Sequence, residues 1–196
     1  MSPILGIIAS SISGSKAVTN SYESIQTVTV GSGGSSSVGF SSIPSTYKHL
    51  QLRIFGRGLS SSADRVSITV KVNSDTGTNY ANHAVGGDGS SAFTAQATSQ
   101  GVGANNFMAG ISAIVGSTGA ANAFGASIVD ILDYANTNKY KTFRSLAGQD
   151  QNSTSGRIAL VSGLWQSTSA ITTLDLNLES GSWAQYSVIA LYGLKG

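Results

Sequence analysis

Val66-Ser67-Ile68-Thr69-Val70-Lys71-Val72 places a branched aliphatic side chain at every second position, with a polar residue between each pair. A period of two predicts a strand with one buried and one wet face, and β-branched residues suit the extended backbone. Working outward, the same alternation recurs. Leu50, Leu52 and Ile54 oppose His49, Gln51 and Arg53, and Leu174, Leu176 and Leu178 oppose Thr173, Asp175 and Asn177. Ile158, Leu160 and Leu164 share one side near Trp165. Tyr186, Val188 and Ala190 alternate with Ser187, Ile189 and Leu191, which reads as an almost wholly buried last strand. Weaker strands are expected over 25–30, 38–40, 79–85, 107–115, 124–132 and 142–147.

Turn chemistry separates these runs. Gly31-Ser32-Gly33-Gly34 and Gly86-Gly87-Asp88-Gly89 read as hairpin loops, and residues 73–78 and Asn136-Thr137-Asn138 supply side chains that accept positive φ. Two prolines and almost no helical stripe leave little room for helices. The expected fold class is all-β: a jelly-roll-like β-sandwich of about ten antiparallel strands. Residues 1–20 are expected to form an N-terminal attachment arm and 21–196 a single sandwich domain. The stretch 86–119 lacks clear alternation and is expected to be a surface excursion or a partner-contacting loop.

Composition narrows function. Apolar residues make up 40% of the 196, enough for a core, whereas charged residues are 10%, far below the roughly 25% of ordinary soluble domains. Uncharged Ser, Thr, Asn, Gln and Gly fill the difference and let many copies crowd together without like-charge repulsion. A net charge of +2 with scattered Lys and Arg argues against nucleic acid as a partner. The absence of cysteine excludes disulfides and thiolate chemistry. No run approaches a membrane span, and Ile4 to Ala9 lack the basic stretch of a signal peptide.

Candidate chemistry is thin. His49 and His83 have no second ligand at metal spacing, and no G-x-S-x-G elbow is present. Asp175 and Glu179 would lie roughly 13 Å apart along a strand, wider than the roughly 5–9.5 Å of glycosidase pairs. Asp130 is expected to end its strand or to pair with Lys139 or Lys141. Asn73, Asp75, Gly77 and Asn79 loosely resemble a calcium loop but lack its closing glutamate, so an Asx-stabilised turn is expected. Asn152-Ser153-Thr154 matches the glycosylation sequon, which matters only in a eukaryotic secretory context. No catalytic, cofactor or metal residues are assigned. Tyr134, Tyr140, Trp165 and Trp183 are the candidates for stacking on a glycan, with core packing as the alternative. Ile4, Leu5, Ile7, Ile8 and Ile12 are too few to form a core alone and are the candidate anchoring residues, able to add to a neighbouring subunit.

Several runs carry a likeness: Pro3-Ile4-Leu5-Gly6-Ile7-Ile8-Ala9-Ser10-Ser11-Ile12-Ser13-Gly14, Tyr22-Glu23-Ser24-Ile25 with Gly31-Ser32-Gly33-Gly34, Phe40-Ser41-Ser42-Ile43-Pro44-Ser45-Thr46-Tyr47-Lys48-His49-Leu50-Gln51-Leu52-Arg53, Asp130-Ile131-Leu132-Asp133-Tyr134-Ala135-Asn136-Thr137-Asn138-Lys139-Tyr140-Lys141-Thr142 and Ala190-Leu191-Tyr192-Gly193-Leu194-Lys195-Gly196. Together they resemble small virion-associated structural proteins of tailed bacteriophages. The resemblance implies a non-enzymatic virion role, with assembly in the bacterial host cytoplasm. One β domain with a short apolar arm and no shaft repeats favours a capsid-surface decoration or cement protein. Its expected partners are further copies of itself in a homotrimer and the major capsid protein or other virion proteins. The alternative is a tail or fibre module that binds a host surface glycan.

Overall fold

A computed structural model describes residues 21–59, 61–102 and 106–196. The anchoring candidates Ile4, Leu5, Ile7, Ile8 and Ile12 lie outside the described residues. The strands in chain order are β1 (Tyr22–Thr29), β2 (Ser37–Phe40), β3 (His49–Gly56), β4 (Gly58–Leu59), β5 (Arg65–Val66), β6 (Ile68–Val72), β7 (Tyr80–Gly87), β8 (Ala92–Gln100), β9 (Ile114–Val115), β10 (Gly125–Leu132), β11 (Lys141–Gln149), β12 (Arg157–Trp165), β13 (Leu174–Leu178), β14 (Ser182–Trp183) and β15 (Val188–Leu194). Four of these fifteen are two-residue pieces, and eleven have four residues or more. The class is all-β, and the pairings between these strands are antiparallel, with one isolated parallel bridge from Arg57 to Val115.

Eight strands form one sheet in the order β1-β15-β3-β10-β11-β12-β7-β8, and β2-β13-β6 form a second. The two share one core. Leu50, Leu52, Val129, Ile131, Phe143, Ile189 and Leu191 of the large sheet are buried with Val38, Phe40, Val70, Val72, Leu174 and Leu176 of the small one. Tyr80 on β7 spans the gap, its hydroxyl accepting from Val72 N at 3.1 Å and donating to Asp75 O at 2.9 Å. Burial raises the Tyr80 phenol to about 12, so it remains a neutral donor throughout the ordinary pH range.

Of the expected strand 107–115 only β9 forms, and Tyr186, expected in the buried last strand, is 67% exposed in the loop before β15; three further sequence expectations need correction. The alternation from Val66 to Val72 is interrupted at Ser67, whose carbonyl accepts from Glu179 N and whose hydroxyl accepts from Ser112 N, each at 3.0 Å. Its two halves consequently pair in different sheets. Gly31 to Gly34 is not a hairpin loop but carries the chain from one sheet to the other. Gly34 adopts φ +78, and a side chain there would strike Trp183 O at 2.5 Å.

The third concerns 86–119, which is not a surface excursion. It begins with a β7–β8 hairpin, turned by Asp88 Oδ1 accepting from Ser90 N and Ser91 N. The chain then returns to the interior. Met108 and Ala109 are fully buried, and Ala109 O accepts from Ser127 Oγ at 2.6 Å. This segment lies on the inner face of the large sheet where β10, β11 and β12 present small residues. Gly163 has no room for more, because a Cβ there would stand 2.6 Å from the Met108 side chain.

Candidate interaction face

The filling of the inner face by residues 106–113 decides what the outer face carries. Along β10, β11, β12 and β7 the inward positions include Ser127, Ser145, Ala147, Ala159, Gly163 and Ala84, whereas larger aliphatics point outward. Strand register then aligns these outward residues. Ile128 opposes Leu146, Leu146 opposes Leu160, and Leu160 opposes Val85. Directly opposed side chains in a sheet have Cβ atoms about 4.5–5.5 Å apart, so the four make one continuous apolar row across four strands.

A second row, two residues along, runs Phe55, Ala126, Gly148, Ile158, Gly87. Phe55 stacks on Phe124 with ring centroids 4.9 Å apart. Val85, Ile128, Leu146, Ile158 and Leu160 keep 46–59% of their surface open. Six side chains, Phe55 included, at on the order of 100 Å² each leave about 600 Å², the top of what the largest patch on a monomer exposes. Covering that area gains about 25 cal/mol per Å², on the order of 15 kcal/mol gross, against an association cost of about 4–15 kcal/mol.

The charges bordering the face have partners within the chain. Asp130 Oδ2 accepts from Arg144 Nη2 at 2.8 Å and Asp130 Oδ1 from Gln51 Nε2 at 2.9 Å. Burial would raise the Asp130 carboxyl, but these two donors outweigh it and hold it low. At the opposite end Arg157 lies 4.3 Å over the Phe93 ring. An open cleft of about 590 Å³ there is bordered by Asp88, Phe124, Gly148, Asp150 and Arg157.

The glycan candidates separate on burial. Tyr134, Trp165 and Trp183 are core residues. Trp165 Nε1 donates to Asp75 Oδ2 at 2.7 Å, Trp183 Nε1 donates to Leu176 O at 3.2 Å, and the Tyr134 hydroxyl donates to Pro44 O. None of the three offers a free ring face, so they meet the packing alternative. Tyr140 alone of the four is exposed, at 52%.

Other candidate groups are dispersed. His83 projects from the outer face of β7, while His49 Nδ1 accepts from Asp133 N at 3.0 Å. Asp130 sits within β10 rather than ending it, and its cation is Arg144, not Lys139 or Lys141. Asp175 pairs with Lys71 at 3.4 Å. The 73–79 stretch is an Asx turn: Asp75 accepts from Gly77 N at 2.8 Å and from Asn79 Nδ2 at 2.9 Å. No group of three His, Cys, Asp or Glu stands close enough to hold a metal among the described residues.

Asp133 anchors the β10–β11 turn, bonded to Lys139 and, at 3.0 Å, to Lys48. Lys139 and then Lys48 lower its carboxyl to about 2, from an ordinary 3.8. A depressed acid contributes stability that is complete above its unfolded value and is lost as pH falls through its folded one. The urea midpoint should therefore drop between about pH 4 and 2, and Asp133→Asn should flatten that part of the curve. Because Lys48 and Lys139 are more than half exposed, the effect should shrink in high salt.

The exposure of the outward aliphatics had one signal in the sequence. Ile158 and Leu160 alternate with Ala159 and Val161, and the neighbouring strands pair Leu146 with Ala147 and Ile128 with Ser127. At these positions the larger aliphatic lies on one face and Ala or Ser on the other, whereas Val129, Ile131, Phe143 and Trp165 further along the same strands face inward. Comparison with known proteins adds no assignment: no protein-family model, curated protein or solved structure matches the chain.

Proposed function

We propose that this chain is a non-enzymatic structural protein of a tailed-bacteriophage virion: a capsid-surface decoration or cement subunit that works as a homotrimer against the major capsid protein. The observation that carries the reading is the contiguous apolar row Ile128-Leu146-Leu160-Val85, backed by a closed core and left open on the outside. A face of this kind marks a protein–protein contact. The 10% charge content and the sequence resemblance support the same role. In this reading residues 1–20 are the attachment arm and 21–196 the sandwich domain. We describe that sandwich as jelly-roll-like because the chain repeatedly changes sheets, from β1 to β2, β2 to β3, β6 to β7, β12 to β13 and β13 to β15.

Mass spectrometry of purified particles, with antibody labelling in the electron microscope, tests this role. Stoichiometric copies labelled on the head are expected. Label confined to the tail tip would favour the second reading, a glycan-binding tail or fibre module. The cleft beside Phe124 and Arg157 supports that alternative, which predicts glycan binding lost on Phe124→Ala. Absence from particles would overturn both.

A further inference from the structure

We infer that the outer face of β10, β11, β12 and β7 is the surface through which copies of this chain pack on one another, Ile128, Leu146, Ile158, Leu160 and Val85 forming its centre. This rests on the assembly reading above but not on the virion in which it is placed.

Three observations select a second copy as the occupant. The first is size. The aliphatic and aromatic centre of about 600 Å² needs only a modest rim to reach the roughly 800 Å² that each partner buries in a stable protein complex. The second is charge. The centre carries none, so identical copies can converge on it, about a three-fold axis as about a two-fold, without like-charge repulsion, and the bordering Asp130 and Arg144 already satisfy each other at 2.8 Å. Arg53, which opposes Ile128 at the same border, is held by Gln51 Oε1 at 3.0 Å and lies 5.2 Å over the Tyr192 ring. The third is relief. Gly148 opposes Ala126 and Ile158, and Gly87 opposes Ile158, so low positions lie beside the Leu146 and Leu160 ridges. An open hollow of about 260 Å³ bordered by Ala126, Ile128, Leu146, Gly148 and Ile158 is there to receive a partner's side chain.

The test is sedimentation velocity on the full chain across a concentration series, with Leu146→Lys, Leu160→Lys and, as a gentler change, Leu160→Ser. Tyr186→Lys serves as the control, since Tyr186 is 67% exposed in the loop between β14 and β15. The unaltered chain and the control should be oligomeric. The lysine variants should weaken association by on the order of 100-fold or more, with the far-UV spectrum and thermal midpoint of the monomer retained. If the lysine variants misfold, Leu160→Ser and the covering of the unaltered face, read by hydrogen exchange of β11 and β12 against concentration, decide the matter. An unaltered chain that stays monomeric at tens of micromolar overturns the inference. So does an oligomer indifferent to the face variants, which would move the contact elsewhere and leave the assembly role standing. A monomer that binds a hydrophobic dye only after residues 1–20 are removed would also overturn it, making the chain's own arm the occupant.

Discussion

Trp183→Ala is expected to destabilise the fold by about 3–5 kcal/mol, the range for emptying a large aromatic from a closed core. Trp183 is fully buried, its indole donates to Leu176 O of the small sheet, and its ring fills the space above Gly56 of the large sheet. Its backbone also pairs with Ser35, Trp183 N donating to Ser35 O at 2.7 Å. The side chain therefore ties the two layers together, and the backbone of the same residue holds the chain crossing between them. Chemical denaturation should show a lower midpoint at unchanged slope. If Trp183 were instead a glycan platform, the same substitution would remove binding and leave stability intact.

Lys141→Ala should cost about 3 kcal/mol or more, since hydrogen bonds from a charged donor contribute about 1.5–3 kcal/mol and the carbonyls left behind add a desolvation penalty. Lys141 is fully buried, and its ammonium donates to Asn136 O at 2.7 Å, Lys139 O at 2.9 Å and Thr168 O at 3.1 Å. It clamps the β10–β11 turn to the segment that follows β12. Lys141→Met keeps the stem volume but removes the donors, so most of the loss should persist. A loss confined to Lys141→Ala would show that packing, not carbonyl capture, is the main contribution. Urea titration of both variants checks this.

Much of the fold was legible because period-two alternation is a direct consequence of the pleat. β3, β6 and β13 bury the aliphatics that their patterns nominated, and the turn around Asp75 follows from its Asx chemistry. Alternation shows that a strand has two faces. It does not show which face another part of the chain will cover. In β12, Ile158 and Leu160 share a side as expected, yet that side faces outward and Trp165 lies on the other. The reason is the covering segment from Asn106 to Ala113, whose Met108 occupies the space that larger inward residues would need. That segment has no period of its own, so nothing local marked it as interior. The aromatic candidates failed to separate for a related reason: Tyr134, Trp165 and Trp183 each bury a ring while satisfying a polar tip, which composition cannot distinguish from exposure.

As proposed above, this chain is a structural subunit whose open sheet face is covered in its working assembly. A density map of the assembled particle, at a resolution that traces strands, tests it most directly. Copies of this sandwich are expected on the head, with Leu146, Leu160 and Ile158 buried against a neighbouring copy. Copies whose β10-β11-β12-β7 face stands open to solvent in the particle would contradict it.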